Sequence, residues 1–138
     1  MNYTVQAFVI GAQHFIVAFG LACLFLAVFK RLYQAVTPYD EKGLIAGGNL
    51  AAAIALGGAI IGFALPLASA LTVTGDLIEF AMWAVLAGAI QIVAFLIMRH
   101  FIVADVKGGV ESGNVAVSTY LAATSVAVGM LNAASMTY

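Results

Sequence analysis

Lys30-Arg31-Leu32-Tyr33-Gln34-Ala35-Val36-Thr37-Pro38-Tyr39-Asp40-Glu41-Lys42 is the stretch that decides the fold of this chain. It holds three of the five basic residues, and a long apolar run adjoins it on either side. The other two, Arg99 and Lys107, fall in a second short segment between two further apolar runs. The opening tail, the 71–79 connection and the C-terminal end contain no Lys or Arg. Positive charge near span ends stays cytoplasmic, and short loops are where that bias counts most. The five-to-zero split predicts four spans, with both basic loops inside and both termini outside.

Composition points to the same class. Hydrophobic residues make up 64% and charged residues 8%, against about 45–50% and 25% in soluble domains. So few charges cannot build a water-facing shell around 138 residues, so the apolar surface must face lipid or other subunits. A net charge of −1 and the lack of a broad basic patch argue against a nucleic-acid partner. The single Cys23 cannot form an internal disulfide, a zinc site or a redox pair by itself. The N-terminus lacks the basic region of a cleavable signal peptide, so the first apolar run is expected to stay as a helix.

The spans are expected at 8–29, 50–71, 77–98 and 115–136, with no soluble domain attached. Each has roughly 22 residues, or about 33 Å, which matches a ~30 Å hydrocarbon core with slight tilt. β-strand spans would be about 10 residues long with alternating polarity. Helices satisfy their own backbone hydrogen bonds in lipid. The fold class is therefore all-α integral membrane.

The second and fourth runs are related by a constant offset of 65 residues: Gly48-Asn49 aligns with Gly113-Asn114, Ala51 with Ala116, Leu56 with Leu121, and Ala68 with Ala133. Residues 1–72 and 73–138 then form two tandem helical hairpins in one membrane domain. They share one orientation, a parallel repeat rather than the inverted repeat of many transporters.

The first basic loop is expected to contain a short capped helix. Thr37 would be its N-cap, Pro38 its first helical residue and Glu41 an acid in its first turn. Asn49 and Asn114 are read as loop caps, with Gly47-Gly48-Asn49 resetting the chain direction before the second span. The loop is either a well-capped connector or an element that docks a partner or senses lipid.

Small residues mark the packing faces. Gly58 and Gly62 form a G-x-x-x-G pair beside Ala55 and Ser69, and Ser118, Ala122, Ser125, Gly129 and Asn132 form the matching stripe in the fourth span. Such faces allow close helix approach; they serve either as a tight seam or as a cavity wall. Pro66 removes the amide partner of the Gly62 carbonyl. Asn132 lies at nearly the same depth, with Gln13, His14, Ser69 and Ser135 close by in depth. These residues are expected to form an outer polar cluster, with Asn132 bridging the freed carbonyl and the first span. The cluster would serve either interhelical hydrogen bonding or ion and ligand contact. Gln91 is expected to bond to a neighbouring helix, and Trp83 and Tyr138 fit an interfacial aromatic belt. His100, Asp105 and Glu111 are too sparse for a metal site, no cofactor site is read, and no nucleophile–base pair, phosphate loop or haem-ligand pair indicates an enzyme.

Several motifs resemble one family over the whole chain. They are Thr37-Pro38-Tyr39-Asp40-Glu41, Leu44-Ile45, Gly48-Asn49, Ala51-Ala52, Gly62-Phe63 with Pro66-Leu67 and Ser69, and the closing Asn132-Ala133-Ala134-Ser135-Met136-Thr137-Tyr138. This set resembles the bacterial inner-membrane family called domain of unknown function 350 (DUF350), in which Tyr138 is often replaced by Trp. The resemblance implies four spans, a duplicated domain and the bacterial cytoplasmic membrane. It implies no activity and transfers no catalytic residues. The expectation is a small homo-oligomeric bundle in the lipid bilayer that conducts or transports ions or small solutes. The alternative is a membrane scaffold or envelope-stress component recruiting a peripheral cytoplasmic protein through loop 37–49.

Overall fold

Each apolar run becomes one long helix in the computed structural model, which describes residues 2–136. The order is α1 (Tyr3–Val36), α2 (Glu41–Ala46), α3 (Leu50–Val73), α4 (Leu77–Ile97), a π-helical turn (Met98–Ile102), α5 (Val106–Glu111) and α6 (Val115–Ala134). The helices α1, α3, α4 (with its π turn) and α6 are each long and apolar enough to cross a membrane. The end of the bundle that carries α2 and α5 is called the basic end below.

The first span is longer than expected. It has 34 residues, about 51 Å at 1.5 Å per residue, and does not stop at Lys30 and Arg31. No glycine or proline interrupts it there, and flexible basic side chains are good helix formers that reach outward from the helix axis. Its end is fixed by Pro38 instead. A residue before proline is pushed to extended backbone, and Thr37 has φ −76° and ψ 142°. The Thr37 amide donates to the Tyr33 carbonyl, and its hydroxyl donates to the Gln34 carbonyl at 2.9 Å.

Thr37 is thus the C-cap of α1, which corrects the expected N-cap role. Pro38 lies in the bend rather than in a first helical turn. The N-cap of α2 is Asp40, whose carboxylate accepts from the Gly43 amide at 3.2 Å. Glu41 is the first helical residue.

The second basic loop holds a short helix that was not expected, and its bonds repeat those of α2 65 residues on. Asp105 accepts from the Gly108 amide at 3.0 Å, as Asp40 does from Gly43. The Asn49 amide donates to the Leu44 carbonyl at 2.9 Å, and the Asn114 amide to the Gly109 carbonyl at 2.8 Å. Gly48 and Gly113 take φ of 86° and 78°, a left-handed conformation that favours glycine. Asn49 and Asn114 then cap α3 and α6 by accepting from Ala52, and from Ala116 and Val117. The Asn49 amide group also donates across to the Val110 carbonyl at 2.9 Å, tying the two loops together.

The centre of the bundle is the parallel pair α3 and α6, which pack more extensively than any other pair. A Cβ on Gly58 would overlap Ala122, one on Gly62 the Ser125 carbonyl, and one on Gly129 the Gly62 carbonyl. The two small-residue stripes therefore face each other inside one chain. The Gly62 carbonyl, deprived of the Pro66 amide, lies against the Gly129 backbone, a geometry suited to a weak Cα–H···O contact. Ser69 closes the seam by donating to the Ala133 carbonyl at 3.1 Å.

Around this pair, α1 and α4 pack through aromatic rings. Phe29 stacks on Phe63 at 4.4 Å between ring centres, and Tyr33 meets Phe95 edge-on at 4.9 Å. Only 11% of the most apolar stretch of α1 is buried, against 56% for α3; α1 is the outermost helix and α3 the innermost.

Candidate functional site

The expected outer polar cluster does not assemble as one site. Gln13 and His14 lie on the exposed side of α1. His14 borders a crevice of about 40 Å³ with Thr74, Asp76 and Phe80 at the α3–α4 connection. Ser135 is exposed and donates to the Leu131 carbonyl of its own helix at 2.7 Å. Ser118, fully buried, likewise donates to the Val115 carbonyl at 3.1 Å. Tyr138 lies outside the described residues.

Asn132 turns to α4 instead of α1. Its side-chain amide donates to the Ala87 carbonyl at 3.1 Å and to Gln91 Oε1 at 3.4 Å. Gln91 in turn donates to the Ser125 carbonyl at 3.1 Å. The Gly62 carbonyl is packed against Gly129, and the bridge expected from Asn132 to that carbonyl and to α1 is replaced by one from α6 to α4. Every member of this chain of amides has a partner. That is the arrangement of interhelical bonding in lipid, where unpaired polar groups are costly.

The polar group without partners is at the basic end. Glu41 is 2% exposed, and neither carboxylate oxygen finds a hydrogen-bond donor among the described residues. Buried carboxylates are ordinarily paired or neutral. The Tyr39 hydroxyl is also buried and unbonded. It lies close enough to favour the ionised form of Glu41, as does the Lys30 ammonium, but forms no hydrogen bond with the carboxylate. Tyr33 on α1 and Arg99 on the π turn act on Tyr39. The Arg99 guanidinium is held by the Val36 carbonyl at 2.9 Å.

Desolvation dominates this balance. It raises the Glu41 carboxyl from 4.5 to about 7, against the opposing pull of Tyr39 and Lys30. Burial also pushes the Tyr39 hydroxyl upward, with the Glu41 charge adding to the rise, so Tyr39 stays neutral. For Glu41 the sign follows from linkage. An acid whose folded pKa is raised stabilises the fold relatively at low pH, and stability falls as pH rises from about 4.5 to about 7. The carboxyl is half ionised near neutrality while sealed inside the protein.

The positions 65 residues on carry different side chains. Lys30, Tyr33, Tyr39 and Glu41 correspond to Phe95, Met98, Ala104 and Val106. Phe95, Met98 and Val106 are buried. Three of these four positions thus hold buried apolar side chains, and Ala104 is exposed. Sequence reading took Glu41 as a loop cap only. The exchange of Glu41 for Val106 at the 65-residue offset was the sequence signal that could have drawn attention to it.

The sequence profile of the family described as Domain of Unknown Function (DUF350) matches residues 4–136. The chain is 28% identical over 120 residues to the UPF0719 inner membrane protein YjfL of Escherichia coli (strain K12), covering 87% of this chain and 90% of the relative. The protein of the same name from Escherichia coli O157:H7 matches with the same identity and coverage. No solved structure matches the chain.

Proposed function

The chain belongs to the Domain of Unknown Function family DUF350, and on that premise we propose that it is a subunit of an oligomeric bundle that moves an ion or small solute across the bacterial inner membrane, with Glu41 as the proton-carrying group. The basic end faces the cytoplasm in this reading, and the two halves are a duplicated hairpin. The observation that carries the proposal is the buried, unpaired Glu41 carboxyl, at a position where the second half has Val106. An ionisable group kept without a partner at the membrane end of a bundle is expensive, and proton relays are a common use of one.

The chemistry is limited to proton exchange. Protonated Glu41 gives up its proton to water or to a passing solute that enters from the basic end, and regains one in the next cycle. Tyr39 stays neutral beside the carboxylate. Lys30 limits the cost of the ionised state. In an oligomer the α1 face of Phe8, Phe15 and Phe19, exposed within the chain, is the surface left for a second copy; in a monomer it faces lipid. The small-residue stripes no longer support assembly, because they are used against each other.

The test is flux through liposomes containing the purified chain, read by a trapped pH dye under a potassium diffusion potential. Wild type should exceed protein-free liposomes, Glu41→Gln should lose at least about tenfold of that flux, and Glu41→Asp should retain part. Flux in Glu41→Gln equal to wild type, or no flux in wild type, would overturn the proposal.

A further inference from the structure

Three of the five basic residues converge on one cleft although they come from two helices. Lys30, Arg31 and Gln34 lie on one face of α1, and Lys42 faces them from α2, around a space of about 570 Å³. Ala27 and Leu56 form an apolar floor. No salt bridge joins Lys30, Arg31 or Lys42 to a carboxylate among the described residues. The cations of the second half are engaged within the chain: Lys107 pairs with Glu111 at 4.0 Å, and Arg99 holds the Val36 carbonyl. A general cytoplasmic bias of positive charge accounts for cations at this end, but it gives no reason for three to share one cleft.

The depth of the cleft is informative. Lys30 and Arg31 lie five to six residues before the end of α1, and Leu56 lies six residues inside α3, about 9 Å from each helix end at 1.5 Å per residue. Ala27 lies about one turn deeper along α1 than Lys30 and Arg31, and Lys42 lies outside the spans, so the charged rim is nearer the helix ends than the apolar floor. A ligand filling both parts has an anionic head and an apolar tail.

We propose that the cleft bounded by Lys30, Arg31, Gln34 and Lys42 binds the phosphate head of an anionic phospholipid, with the lipid's first methylenes against Ala27 and Leu56. Basic pockets between helices at the cytoplasmic side suit such heads, and each cation near an anionic headgroup strengthens binding on the order of fivefold. The Gln34 amide adds a neutral donor. The site shares Lys30 with the Glu41 reading, but its test changes only Arg31 and Lys42, so the two fail separately.

The full chain is extracted from phosphatidylcholine–phosphatidylglycerol liposomes, and the phosphatidylglycerol retained is measured by native mass spectrometry. Arg31→Gln with Lys42→Gln should weaken retention about 25-fold, while Arg31→Lys with Lys42→Arg should stay within about twofold of wild type. Lys107→Gln should behave as wild type. Thermal stability in phosphatidylcholine alone checks that each variant folds; if the glutamine pair does not fold, Arg31→Gln alone should lose about fivefold. Three results would overturn the proposal: unchanged retention in the glutamine variants, equal loss in Lys107→Gln, or complete displacement by excess inorganic phosphate at constant ionic strength. The last would make the cleft a site for a dissolved anion instead of a lipid.

Discussion

Replacing Asn132 by Leu separates two ways in which the upper seam could be held. Asn132 is 9% exposed and makes two hydrogen bonds to α4, at 3.1 Å to the Ala87 carbonyl and 3.4 Å to Gln91. Interhelical bonds of this kind contribute about 0.6 kcal/mol on average in a membrane protein, with a maximum near 1.7. Losing both, and leaving Gln91 Oε1 without its donor, should cost about 1–2 kcal/mol. Gln91→Leu should cost a similar amount, because it also removes the bond to the Ser125 carbonyl. The two side chains share only the longer contact, so their coupling in a double-mutant cycle should be about 0.5 kcal/mol. Pro66→Ala should not rescue Asn132→Leu. It returns an amide to the Gly62 carbonyl, but Gly129 and not Asn132 covers that oxygen. The assay is unfolding of all single and double variants in one mixed-micelle system. A coupling above about 1.5 kcal/mol between Asn132 and Pro66, with none between Asn132 and Gln91, would refute this reading of the seam.

Other perturbations have equally definite outcomes. Wild-type stability should fall as pH rises from about 5 to 7, and Glu41→Gln should flatten the profile and be the more stable protein at pH 8 by about 2 kcal/mol after allowance for screening; a less stable Glu41→Gln at pH 8 would contradict the raised carboxyl. Gly129→Leu should prevent α3 and α6 from closing and cost more than about 3 kcal/mol, seen as loss of folded monomer rather than loss of oligomer alone. Asn49→Ala should cost about 1–2 kcal/mol through the lost α3 cap and the bond to the Val110 carbonyl, measured by thermal unfolding, with Asn114→Ala costing less because its side chain makes no bond to the other loop. Single cysteines at Asn2 and at Gly75 should label with an impermeant reagent in intact spheroplasts, and one at Lys42 should not.

The spans were legible because an apolar run of bilayer length has few alternatives to a helix, and all four spanning helices start after a residue whose side chain caps them: Asn2, Asn49, Asp76 and Asn114. The end of α1 was misread for a local reason. Thr37 and Asp40 are both good caps, and Pro38 fits a first helical turn as well as it fits a break. Only the unbroken continuation of α1 through Lys30 and Arg31 decides between them. The helix α5 was within reach, since Asp105-x-x-Gly108 repeats Asp40-x-x-Gly43 at the same 65-residue offset.

What sequence could not supply was partner choice between distant elements. The stripe around Gly58 and Gly62 is equally suited to another helix of its own chain or to a second copy, and only the fold sets it against Ser125 and Gly129. Depth along the helices placed Asn132 near Gln13 and His14, but the direction around the helix axis sends it to α4. Glu41 was hidden for the same reason. An acid in a first helical turn ordinarily points to water, and its burial depends on α2 packing against the bundle with Tyr33 and Tyr39 beside it.

The account rests on Glu41 changing its protonation state inside the folded protein near neutral pH. Infrared difference spectra of the chain in lipid, recorded across pH 5 to 9 with Glu41→Gln as the blank, read that carboxyl directly. The carboxylic-acid carbonyl band should be present at pH 5, fade with a midpoint at about 7, and be missing from the variant throughout. A Glu41 carboxylate already ionised at pH 5 would contradict the account.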